Sequence, residues 1–92
     1  MLYSRRFDRF LECVIAEYKS VYGVSLRKGI SPTGMRMLEV PMSDGNNVAY
    51  YYTTINTLMR YRIPVKDVVK YIHNAAETSK KVRSFMRQPA YA

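Results

Sequence analysis

A chain of 92 residues suffices for one hydrophobic core and excludes a second. Fifteen Lys and Arg stand against seven Asp and Glu, for a net charge of +8, which points to polyanions as partners and away from acidic mimicry of nucleic acid. The apolar runs are only a few residues long, so no segment reaches the roughly 20 residues of a membrane span, and the lone Cys13 excludes an intrachain disulfide and a thiolate zinc site.

The segment from Met1 to Arg6 leads into an amphipathic pattern and lacks the apolar core of a signal peptide, so the chain is expected to stay where it is made. A single cysteine fits a reducing cytoplasm. From Phe7 onward, Phe10, Leu11, Val14, Ile15, Tyr18, Val21 and Tyr22 recur at the spacing of one helix face. Ser4 caps this first helix and Gly23 stops it, with Arg5, Arg9, Glu12 and Lys19 on the wet side.

Between Val24 and Thr53 short runs alternate with turn formers. Residues 35–42 and 47–53 flank Ser43-Asp44-Gly45-Asn46, and Asp-Gly between two extended runs predicts a hairpin. The sheet is two-stranded, or three-stranded if residues 24–28 pair with it. Pro41 cannot donate to a ladder, which predicts that its strand lies at an edge or is interrupted there. Thr54 caps a short helix through Ile55, Leu58, Met59 and Tyr61, ended by the Ile63-Pro64 step. Pro64 then opens a long helix to about Arg87, with Val65, Val68, Val69, Ile72, Ala75, Ala76 and Ser79 on one stripe. Residues 1–92 are thus expected to form a single basic α+β domain: N-terminal helix, small antiparallel two- or three-stranded sheet, short helix, long C-terminal helix.

Catalytic patterns are missing. His73 is the sole histidine, the pairing of Cys13 with His73 has no local group to orient it, and neither GxGxxG nor GxxxxGK[ST] occurs. The acids Asp8, Glu12, Glu17, Glu39, Asp44, Asp67 and Glu77 are scattered, so the expectation is a non-enzyme without metal, cofactor or small-molecule substrate.

The charge is uneven. Residues 55–92 hold eight bases and two acids, and four of those bases, Lys80, Lys81, Arg83 and Arg87, fall within eight residues. Lys80, Arg83 and Arg87 project from the side that carried the core stripe, and burying unpaired cations is prohibitive. The helix is therefore expected to leave the core after residue 79, as a binding surface or as a solvated end whose cations offset the macrodipole. Arg60 and Arg62 are expected to extend the same patch. Nine tyrosines without tryptophan supply core area, and an exposed Tyr beside Arg can stack on an unpaired base.

In size, lack of catalytic motifs and a tyrosine-rich helix-plus-hairpin plan, the whole chain resembles the small phage-encoded anti-CRISPR proteins of the type I-F group. No shared motif carries residue roles over. The resemblance implies a cytoplasmic protein of an infected bacterial host that docks on a crRNA-guided surveillance ribonucleoprotein, Cas subunits plus crRNA, and blocks binding or hybridisation of target DNA. The basic charge departs from the acidic DNA mimics of that group and favours contact with the crRNA backbone. The competing reading is a nucleic-acid-binding regulator that presents the short and long helices to duplex DNA as a helix-turn-helix-like pair.

Overall fold

The computed structural model describes residues 3–86. Helix α1 spans Arg5–Tyr22; the Ser4 hydroxyl accepts the Phe7 N–H at 3.1 Å, and Gly23, at φ 70°, donates its N–H to the Lys19 carbonyl at 2.9 Å. Both ends fall where the sequence places them. Phe7, Leu11, Val14 and Tyr18 are buried, whereas Val21, expected in the stripe, is 57% exposed.

Three strands follow, β1 (Arg27–Ile30), β2 (Arg36–Pro41) and β3 (Asn47–Tyr51), in an antiparallel meander of order β1-β2-β3. The third strand is present, with β1 set later than residues 24–28. Both connecting loops have one design. Gly34 donates to the Ser31 carbonyl and Ser31 to the Met35 carbonyl in the first; Gly45 donates to the Met42 carbonyl and Met42 to the Asn46 carbonyl in the second. Each is a type I turn closed by a left-handed glycine, at φ 85° and 84°. Asp44 itself keeps a negative φ, so the loop has three residues, not two.

Pro41 ends the central strand, so of the two expected placements the strand stops there and does not lie at an edge. The Met42 N–H points at β3, so the position of the missing Pro41 N–H points toward β1, whose pairing stops at Arg27 opposite Glu39. No ladder bond is lost there.

Strand β3 runs without a loop into α2 (Tyr52–Arg60), which starts two residues before the expected Thr54 cap. Tyr51 stands at the cap position and makes no side-chain cap bond. The gain lies in Tyr52, which is buried with its ring 5.5 Å from Phe7 and 5.6 Å from Tyr3, under the Arg36 guanidinium. Full burial of a large side chain stabilises by about 1.5–3 kcal/mol, more than the ~1 kcal/mol of a helix cap. Of the three consecutive tyrosines, Tyr50 is half-buried, Tyr51 exposed and Tyr52 buried.

Helix α3 spans Val65–Met86, and the Pro64 carbonyl accepts the N–H groups of Asp67 and Val68. Val68, Val69, Ile72 and Ala76 meet Leu38, Val40 and the α1 stripe to form the core, with all three helices on one face of the sheet. Polar ties fix α3 across that core: Tyr50 donates to the Ile72 carbonyl, and the Tyr18 hydroxyl lies 3.3 Å from His73 Nδ1. Burial pushes both phenols up to about 12, so they stay protonated. Among the described residues no helix is long and apolar enough to cross a membrane.

A Cβ at position 45 would meet no neighbouring atom, but Gly45→Val forces a β-branched residue to positive φ. The expected penalty is about 1 kcal/mol or more. Calorimetry should show Tm lower by about 4–8 °C; an unchanged Tm contradicts this turn.

Candidate functional site

The six basic residues singled out in the sequence separate into two groups. Val65 and Lys80 are fifteen residues apart on one continuous helix, so the α2–α3 turn carrying Arg60 and Arg62 lies about 22 Å from Lys80 at 1.5 Å per residue. They form no single patch.

At the far end of α3 the helix leaves the hydrophobic core as expected, its last buried residue being Ala76. What the sequence did not show is that the β2–β3 loop pairs with two of the cations there. Lys80 donates to the Ser43 hydroxyl, and Arg83 grips Asp44 with a fork, Nε to Oδ2 at 3.0 Å and Nη2 to Oδ1 at 3.2 Å. Asp44, read only as a turn former, also supplies the counter-charge. Partial burial pushes its carboxyl up, but the Asn46 amide and the Arg83 guanidinium outweigh this and hold it below its ordinary value. Lys81 is exposed, as are Val82, Phe85 and Met86, and Arg87 lies outside the described residues.

The α2–α3 turn has a different character. Ile63 donates to the Leu58 carbonyl at 3.1 Å and Arg62 to the Met59 carbonyl at 2.9 Å, the paired bonds of a Schellman motif. Leu58 and Ile63 pack on the core, the apolar contact that accompanies such a motif. The left-handed position usually given to glycine is held by Arg62, at φ 60°, the one non-glycine residue with positive φ among the described residues. That geometry costs about 1–2 kcal/mol for a residue with a Cβ.

Arg62 opens onto a groove of about 350 Å³ between α1 and the turn. Arg6, Arg9, Phe10 and Cys13 form one wall, at i, i+3, i+4 and i+7 on α1; Met59 and residues 62–65 form the other. Its lining surface is mainly apolar, three arginines are among the lining residues, and no acid lines it. The ion pairs among the described residues are Lys28 with Glu12 and Arg83 with Asp44, so Arg6, Arg9 and Arg62 have no anionic partner there. Arg60 is exposed on the last turn of α2, beside a second hollow of about 410 Å³ against Thr57 and Tyr61.

Sequence reasoning missed Arg6 and Arg9. Their spacing with Phe10 and Cys13 is a readable signal, but it acquires meaning only once the α2–α3 turn is known to pack alongside. Cys13 is exposed in this groove, whereas His73 is stacked on Tyr22 at 3.8 Å, so the two have different neighbours. Among the described residues no group of three or more His, Cys, Asp or Glu side chains is gathered as for a metal ion. No protein family, curated protein or solved structure matches the chain.

The Asp44 clasp predicts a pH dependence. A depressed folded-state pKa contributes stability that is present above the unfolded-state value and lost as pH falls through the folded one. Arg83→Gln should therefore lower Tm at pH 7, and the gap to the wild type should close as pH falls through and below the ordinary carboxylate range. A Tm gap that stays constant across that range contradicts the pairing.

Proposed function

We propose that this protein is a non-enzymatic inhibitor that binds a ribonucleoprotein by holding a stretch of its phosphate backbone in the groove of Arg6, Arg9 and Arg62. The observation that carries the reading is that three arginines, none with an acidic partner among the described residues, line one acid-free hollow. Guanidinium forks match phosphate oxygens, and the mainly apolar lining lowers the local dielectric around them. Phosphate is a better fit than a lone carboxylate, because three separated cations match a repeating charge. The choice of ribonucleoprotein rests on the resemblance to type I-F anti-CRISPR proteins: the partner is then the surveillance complex, Cas subunits plus crRNA, and occupancy blocks target DNA binding or hybridisation. Lys81, with whatever Lys80 and Arg83 can offer beyond the hairpin clasp, and Arg87 are a secondary contact on this reading.

Duplex DNA binding through α2 and α3 is less supported. The first two turns of α3 bury Val68 and Val69 and expose Lys66, Asp67, Lys70 and Tyr71, a set that includes an acid and no Asn, Gln or Arg to read base edges.

The double variant Arg6→Gln/Arg9→Gln tests the reading, since both side chains are exposed and their loss should leave Tm unchanged. Binding to a crRNA-loaded type I-F surveillance complex should weaken, and the slope of log affinity against log salt should flatten by about 1.4 for two lost contacts on a single strand. Affinity and slope both equal to wild type would sink the groove as the binding site.

A further inference from the structure

We infer that the α2–α3 turn takes an unpaired nucleotide, its phosphate on Arg62 and its base on the ring of Tyr61. The inference deepens the proposed function and rests on it.

The Schellman motif buries or half-buries Leu58, Met59 and Ile63 and thereby turns three successive residues, Arg60, Tyr61 and Arg62, outward together. Tyr61 is 76% exposed, the most exposed large apolar side chain among the described residues, and its flank is the hollow shared with Thr57 and Arg60. The core has no use for this ring, because Met59 and Ile63 on either side already seal the turn. One residue further, Arg62 lines the groove together with Arg6 and Arg9. A chain whose phosphates follow the groove thus meets a projecting aromatic face at the groove's edge.

That pairing of features selects against a duplex. Base faces in a duplex are covered by their neighbours in the stack, so a protruding phenol finds only sugar and phosphate, whereas a splayed base offers a π face on which Tyr can stack between two guanidinium groups. The backbone strain fits the same use. Glycine at position 62 would relieve it, and only a side chain with work to do at that place offsets the loss.

Fluorescence anisotropy with a labelled uridine 12-mer and a labelled RNA hairpin of equal charge tests this in the full-length protein. The single strand should bind more tightly than the hairpin at one salt concentration. Tyr61→Leu should weaken single-strand binding about ten-fold, while Tyr61→Phe, which keeps the ring, should match the wild type. Arg62→Gly should raise Tm yet weaken binding and flatten the salt slope by about 0.7, a combination that loss of fold cannot produce. Single-strand affinity unmoved by Tyr61→Leu, tighter hairpin binding, or displacement by polyglutamate as effective as by RNA would each overturn the inference. If the 12-mer does not bind while the surveillance complex still depends on Arg6 and Arg9, this inference falls and the proposed function stands.

Discussion

Burial of the Tyr52 ring sets the register of everything downstream of the sheet. Because Tyr52 enters the core against Phe7 and Tyr3, α2 must begin at once, with no loop after β3. Ile55 and Met59 then fall on the buried side at helical spacing, and the helix ends where Leu58 and Ile63 can close over the core. Residues 60–62 have nowhere to point but outward. The same packing draws the turn alongside α1, so Arg62 shares a groove with Arg6 and Arg9. A cap at Thr54 in place of Tyr51 would shift the start by three residues, a rotation of about 300° at 100° per residue, and dissolve the site.

The large cationic surplus divides by what lies opposite. At the hairpin end, Asp44 and Ser43 engage Arg83 and Lys80, so these cations tie the far end of α3 to the sheet. At the groove no acid lies within the lining, and the arginines keep their full capacity for an outside anion. Arginines that line one hollow with no acid among them favour an outside anion, which offsets their mutual repulsion.

Local chemistry made much of the fold legible. Ser4, Gly23, Gly45 and Pro64 act through their own backbone or cap preferences, and each element end they mark lies where the sequence places it. Tertiary packing decided the rest. Thr54 is a better cap than Tyr51, yet the burial of Tyr52 overrides it; Val21 continues a periodic stripe but finds no element to cover it. For the site, Arg60 and Arg62 were visible as bases at a helix end, whereas their separation from Lys80 and Arg83 follows only from the unbroken length of α3. Asp44 was legible as a turn residue and not as a counter-ion, because the partner that needs it lies 39 residues away.

The claim that the groove and its adjoining turn are the binding surface is tested most directly by mapping contacts at residue resolution. In ¹⁵N-labelled protein titrated with a short single-stranded RNA, the amides of residues 6–13 and 59–63 should shift together and saturate at one concentration, while those of residues 80–86 move little. Shifts confined to residues 80–86, with the groove silent, would contradict the account and return the basic end of α3 to the centre of the function.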